Sequence, residues 1–197
     1  AGVAAAGGCD SGADVVAADA VQPIELRTER LLLRPYLETD AADVFAYAQL
    51  EEWSRHLLPK VPYPYAREDA VEFVAHTLAT PWAEAANWAL VLEGQVIGGA
   101  SLEPSEAAGV AEFGYGLAPE HWGRGLITEA IGAIVRYGFE VRDFEILVPR
   151  AEVSNTGSWR VMEKLGMSRE RIGTRIGRDG TPVDEVHYRL LREDWRP

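Results

Sequence analysis

Cysteine is nearly absent. Cys9 is the single one in 197 residues, so no intrachain disulfide can form. No Cys/His cluster has metal-binding spacing either, and no metal is expected. Long hydrophobic runs are missing: nothing approaches the ~20 apolar residues of a helical membrane span, so no membrane partner is expected. Positive charge is scarce. Lys and Arg number 19 against 31 Asp and Glu, a formal net charge of −12. Phosphate backbones require a basic face, so nucleic acid is excluded as a direct partner. A cationic partner such as an amine suits this balance. There is no internal repeat. Together these absences fit a cytoplasmic protein.

What is there is ordinary for a globular chain, with 47% hydrophobic and 25% charged residues. A domain of ~150 residues buries ~70% of its unfolded surface, enough for one core without staples. Residues 1–20, AGVAAAGGCDSGADVVAADA, read as a flexible Ala/Gly tail ahead of a domain over 21–197. Within the tail AAGGC faintly resembles a lipoprotein cleavage site, though no basic start or Leu-rich segment supports that.

The patterned sequence begins near Val21. Ile24 to Tyr36 is strand-like. Thr39 is a plausible N-cap for a helix to about Leu50. LLPKVPYPY is a proline-rich loop, and Arg67 to Leu78 restores helical spacing. Trp88–Leu92 and Gln95–Leu102 form a hairpin about Glu93-Gly94. Ala111–Leu117 is the next strand, and Ile127, Ala130, Ile131, Ile134 and Gly138 mark an amphipathic helix. A strand over Phe144–Val148 precedes a short helix, Asn155–Leu165, which Gly166 can end. Two strands about Asp179-Gly180 close the chain, with Val186, Tyr188 and Leu190 on one face. The order β-α-α-β-β-β-α-β-α-β-β predicts a mixed sheet flanked by helices.

The strand-to-helix join EHWGRGLITEA holds the chemistry. Gly123 and Gly125 permit a tight turn and a close backbone approach. The first amides of the following helix lack intrahelical acceptors, and the helix dipole favours an anion there. Successive N–H groups from Gly123 to Thr128 can cradle a pyrophosphate, with Arg124 adding charge. A plain turn and helix start explains the same residues. No GK[ST] ending and no third glycine mark a nucleotide loop.

FGYGLAPEHWGRGLITEAI, followed about thirty residues later by NTGSWRVMEKLGM, resembles the two core motifs of the GNAT superfamily of N-acetyltransferases. The nearest subgroup is the one containing the ribosomal-protein alanine acetyltransferases. LRTERLLLRPYLETDAADVF and NWALVLEGQVIGGASL extend the likeness over Ile24 to Trp195. The resemblance implies an α/β fold with a mixed α+β sheet split at its centre. It implies acetyl-CoA as co-substrate and an amine acceptor, either a peptide or protein N-terminus or a small amine. By resemblance the pyrophosphate lies on Trp122, Gly123, Arg124, Gly125, Leu126, Ile127 and Thr128. Leu117 and Ala118 would meet the acetyl-pantetheine end, and Asn155 and Ser158 the pantetheine and the leaving sulfur. Two positions depart from the family. Ile127 replaces the usual Gly or Ala, and Met162 stands where many members carry a Tyr acid.

Strand alternation puts Phe113, Tyr115 and Leu117 on one face and Glu112, Gly114 and Gly116 on the other. Glu112 stands where relatives place a base or water-ordering carboxylate; otherwise it is an edge residue or an Arg partner. Ser158 is the candidate donor to the thiolate, or a plain helix Ser. Asn155 is equally a helix cap. Trp53, Trp82, Trp88 and Trp159 read as core or interface, and Trp53 and the loop through Tyr65 are also candidates for acceptor specificity. His121 reads as a loop residue near the cofactor and His187 as a surface position. Arg160 and Lys164 would meet the 3′-phosphate or simply solvent. A free Lys requires ~4.6 kcal/mol to deprotonate at pH 7, an α-amine only ~1, which favours N-termini. A non-catalytic acyl-CoA-binding module on the same fold is the alternative, and a homodimer is compatible with either.

Overall fold

The computed structural model describes residues 21–56 and 61–196. The expected tail over 1–20 lies outside the described residues. The elements are strands β1 (Leu26–Arg27) and β2 (Leu32–Arg34), helices α1 (Ala41–Ala48), α2 (Glu51–Ser54) and α3 (Arg67–Ala79), and strands β3 (Ala86–Leu92), β4 (Gln95–Pro104) and β5 (Val110–Leu117). Then come α4 (Leu126–Glu140), β6 (Ile146–Leu147), β7 (Arg150–Glu152), α5 (Thr156–Lys164), β8 (Ser168–Ile176) and β9 (Pro182–Leu191). The fold is the expected α/β type, one mixed sheet ordered β1-β2-β3-β4-β5-β6-β9-β7, with β8 also on β9.

Side-chain alternation decides which face each helix covers. On β3, Trp88 and Leu90 face α4, whose Ala130, Ile131, Ile134 and Val135 are fully buried. Ala89 and Val91 face the other way and meet Val44, Tyr47 and Ala48 of α1 and Ala70 and Val74 of α3. Each fully buried Leu or Ile contributes roughly 1.5–3 kcal/mol. Trp82, Trp88 and Tyr137 stack edge to face at 4.9 and 5.3 Å, so two of the four tryptophans expected in core or interface are buried core.

Three details differ from expectation. The first strand is broken: Thr28 N–H donates to the Leu31 carbonyl at 3.0 Å, and β1 folds back on β2. The turn frees Arg30 to reach α4. The strand expected at Phe144–Val148 is shorter, Ile146–Leu147, with Leu147 its buried member. His187 is partly buried beside Glu185, 3.4 Å away, rather than at the surface. Its face of β9 is occupied by a charge cluster. The opposite face carries Val186, Tyr188 and Leu190, all buried as the pattern requires.

The sheet parts at one place. Parallel pairing of β5 with β6 stops at Ala111–Leu147, after a last bond from Val148 N–H to the Ala111 carbonyl at 2.9 Å. β6 and β7 keep one register on β9, from Ile146 opposite Leu191 to Glu152 opposite Glu185. They therefore follow β9 away from β5. β5 stays on β4 along its whole length, Pro104 opposite Ala111 through Gly98 opposite Leu117.

Candidate active site

The parted strands open a cleft of about 680 Å³, lined by β5, β7, the α4 and α5 N-termini and α2. Its β5 wall is backbone. Ala118 N–H donates to the Ile97 carbonyl at 2.8 Å. Bonding alternates along an antiparallel pair, so residues of Ala118's parity turn their peptide groups to β4. Phe113, Tyr115 and Leu117 turn theirs into the cleft, where no strand pairs them among the described residues. This edge can accept an extended amide chain as another strand would. It also corrects one expectation: the Ala118 amide is already used. The Leu117 carbonyl is likewise used, accepting Trp122 Nε1–H at 2.7 Å, while the Leu117 N–H faces the cleft.

At one end of this edge lies the cradle. Gly123 and Gly125 have φ of 73° and 78°, left-handed values that cost other residues about 1–2 kcal/mol. Gly125 is the N-cap of α4, and the amides from Gly123 to Thr128 donate to no protein group among the described residues. Leu126 contributes its amide alone, since its side chain is 1% exposed in the core. Ile127 is half-buried, packs on the main core and still lines the cleft. Arg124 extends outward and donates to His121 Nδ1 at 2.9 Å, so His121 does lie beside the cradle. Arg30 locks the turn from behind. Its Nη1 donates to the Arg124 carbonyl at 2.9 Å, and its Nε and backbone N–H reach Glu129 at 2.6 and 2.8 Å. Burial alone would raise the Glu129 carboxyl, but the bonds from Thr28 and Arg30 hold it below the usual carboxylate range.

The middle of the cleft holds Ser158. Asn155 caps α5, its Oδ1 accepting Ser158 N–H at 3.1 Å, as the plain reading required. Tyr115 O–H, from β5, lies 2.8 Å from the Ser158 carbonyl and 2.9 Å from Ser158 Oγ. A phenol carries one proton. With that proton on the carbonyl, Ser158 Oγ–H donates to the phenol oxygen. Burial pushes the Tyr115 hydroxyl up to about 12, eased by the Ser158 bond. Met162, where the resemblance places a Tyr, is buried in the core, and the hydroxyl beside Ser158 comes from β5 instead. Tyr115 was legible as a face residue, but its reach to α5 was not.

The other end is charged. Glu112 Oε1 accepts Arg150 Nε–H at 2.7 Å. Arg150 also lies 3.8 Å from Glu185, which pairs with Arg175 at 3.2 Å; Arg175 in turn meets Glu152 at 2.6 Å. Glu152 Oε2 completes the chain with His56 Nδ1 at 2.7 Å. Burial, then Arg171, lower the His187 imidazole despite Glu185. Glu112 is thus an Arg partner, which weighs against its acting as a direct base. Trp53 does line the cleft, where a Cβ on Gly116 would meet its indole at 3.0 Å. Its Nε1–H is buried without an acceptor among the described residues. Arg160 and Lys164 are solvent-exposed on α5. His56, Arg150, Glu152, Arg175 and Glu185 went unread in the sequence, being scattered over four segments with no motif. The described residues include no helix long and apolar enough to cross a membrane and no metal-type cluster.

Comparison with known proteins agrees with this architecture. Residues 30–168 match the model of the acetyltransferase (GNAT) domain family. The chain is 26% identical over 175 residues to the uncharacterized N-acetyltransferase YnaD of Bacillus subtilis (strain 168), covering 87% of this chain and 99% of YnaD. It superposes with a TM-score of 0.77 on the crystal structure of a GNAT-family acetyltransferase from Bacillus anthracis, at 26% identity over 86% of this chain and 99% of that one. The ribosomal-protein-S5-alanine acetyltransferase of Vibrio fischeri shares the fold, with a TM-score of 0.71 at 19% identity over 88% of this chain and 100% of that one.

Proposed function

The chain belongs to the GNAT acetyltransferase family, and from that premise we propose that it moves the acetyl group of acetyl-CoA onto a primary amine, peptide or protein N-termini first, in a ternary complex. The observation that carries this reading is the row of unpaired amides from Gly123 to Thr128 set beside the unpaired edge of β5. One binds a diphosphate and the other an amide-bearing arm, and acetyl-CoA has both. The residues fit that donor.

In this reading the Leu117 N–H polarises the thioester carbonyl. The amine enters from the side of Trp53, His56 and Glu112. Glu112, paired with Arg150, attracts the ammonium form rather than taking its proton. Glu112, Glu152 and Glu185 together make this end receptive to a cation. The nitrogen attacks the carbonyl carbon, the C–N bond forms and the C–S bond breaks. The electron pair leaves on sulfur, where Ser158 and Tyr115 supply the nearest hydroxyls. A thiolate needs little acid help, so positioning provides much of the rate. N-termini are preferred because their deprotonation costs roughly 3–4 kcal/mol less than that of Lys.

The test is mass spectrometry of reactions holding acetyl-CoA with free N-terminal tetrapeptides, an N-blocked Lys peptide and spermidine. Acetylated N-termini are the expected product. Tight acetyl-CoA binding with no acetylated amine of any kind removes the reading.

A further inference from the structure

We infer that the imidazole of His56, oriented by Glu152, takes the proton from the acceptor amine. The inference rests on the amine-acetylation reading above and supplies the base that Glu112 does not.

Of the carboxylates lining the cleft, Glu52 is exposed on α2, and the other three are already matched to a guanidinium. Glu112 accepts from Arg150, Glu185 lies between Arg150 and Arg175, and Glu152 accepts from Arg175 at 2.6 Å. Such pairing occupies the carboxylate oxygens that an amine proton would have to reach. His121 Nδ1 is taken by Arg124 at 2.9 Å, and His187 Nε2 faces Glu185 at 3.4 Å. His56 differs. Its Nδ1 is 2.7 Å from Glu152 Oε2, and its Nε2 has no partner among the described residues. A carboxylate on Nδ1 fixes the Nδ1–H tautomer and leaves the Nε2 lone pair for a substrate proton. The resulting imidazolium is stabilised by the same carboxylate. The geometry is that of a base held by an orienting group.

Placement supports the role. His56 follows α2 by two residues, and α2 bridges the opening: Trp53 lies over Gly116 of β5, while His56 bonds to Glu152 of β7. The imidazole therefore lines the mouth of the gap between the parted strands. The charged and titratable groups around it are Glu152 from β7, Arg175 behind that carboxylate from β8, and Glu52 and Arg55 from its own segment. Ser154 Oγ also donates to Glu152, at 3.2 Å.

The step balances. The acceptor arrives as an ammonium, loses one proton to solvent and attacks as the neutral amine. Its lone pair forms the C–N bond, the C–S bond breaks toward sulfur, and the surplus proton then on nitrogen passes to His56 Nε2. His56 returns it to the thiolate, so the net products are an amide, CoA thiol and the one proton released to solvent.

The experiment measures kcat/KM against pH for wild type, His56→Ala, His56→Gln, Glu152→Gln and Glu112→Gln, with the best acceptor from tetrapeptides bearing free N-terminal Ala, Ser, Thr or Met. Acetyl-CoA binding by calorimetry is the folding control, since Gln at 56 preserves the bond to Glu152. In wild type the acid limb falls with a slope of two, one proton from the amine and one from the base. Both His56 variants are expected to lose roughly 10²–10⁴-fold in rate and fall to a slope of one, with unchanged acetyl-CoA affinity. Added imidazole restores part of the rate in His56→Ala. Glu152→Gln moves the limb to lower pH, because the imidazolium loses its anion. A slope of two retained in both His56 variants, or its loss in Glu112→Gln instead, overturns the inference while leaving amine acetylation intact. Wild type that binds acetyl-CoA and acetylates nothing overturns both.

Discussion

Tyr115 on β5 and Ser158 at the start of α5 join across the parted strands, the phenol 2.8 Å from the Ser158 carbonyl and 2.9 Å from its Oγ. One pair thus fixes the width of the cleft and holds the hydroxyl nearest the proposed leaving sulfur. Ser158→Ala and Tyr115→Phe are each expected to lower kcat about tenfold, with acetyl-CoA affinity within about twofold of wild type. The double variant should lose little more than either one, because the two act as a unit. Thiol release under saturating acetyl-CoA measures all three.

Tyr115 also predicts alkaline behaviour. Its hydroxyl titrates near 12 in the fold because it is buried, and near ~10 in the unfolded chain. The folded value is raised, so its contribution to stability is complete below about pH 10 and is lost as pH rises from there through 12. Tyr115→Phe should lessen the slope of that part of a stability–pH curve followed by urea unfolding, the rest coming from other buried tyrosines such as Tyr65, also raised to about 12.

The cradle glycines separate backbone strain from ligand access. Nothing lies within 4 Å of a Cβ placed on Gly123, and its φ is 73°. Gly123→Val is therefore expected to cost about 1–2 kcal/mol of stability through its left-handed backbone. It should also weaken acetyl-CoA by tenfold or more, because the side chain stands over the amides. Calorimetric titration at a temperature where the variant is folded checks the second effect.

Gly116 should govern the acceptor without touching the donor. A methyl there meets the Trp53 indole at 3.0 Å. Gly116→Ala is expected to displace Trp53 and raise KM for the amine several-fold, while acetyl-CoA affinity stays within about twofold. Steady-state kinetics varying each substrate in turn distinguishes the two.

Glu129 ties the first turn of α4 to Arg30 and Thr28, and its carboxyl titrates below the ordinary range. The folded value is depressed, so its stabilisation is present above the unfolded value of ~4.3 and is lost as pH falls through the folded one. Glu129→Gln should cost about 1–2 kcal/mol at pH 7, a figure reduced for the half-exposed Arg30, which solvent and salt screen. The difference from wild type should shrink below pH 4. Urea unfolding at pH 7 and pH 3.5 measures it.

Local pattern carried much of this protein. The glycines at 123 and 125, the alternation of β5, the Asn155 cap and the helical stripe of α4 are short-range signals, each set by backbone sterics or side-chain period within a few residues. They sufficed for most of the element order, though not for α2, β7 or the break between β1 and β2, and for the turn at Gly123 and Gly125; the placing of Ser158 came from the family resemblance. The tertiary structure alone decided the rest. Whether β5 keeps or loses its neighbour depends on β6 and β7 following β9, whose pairing partner lies more than thirty residues away in sequence. The partners of Glu112, Glu152 and Ser158 come from distant strands as well. A charge acquires its role from whatever faces it, and opposing faces are fixed only when the sheet is assembled.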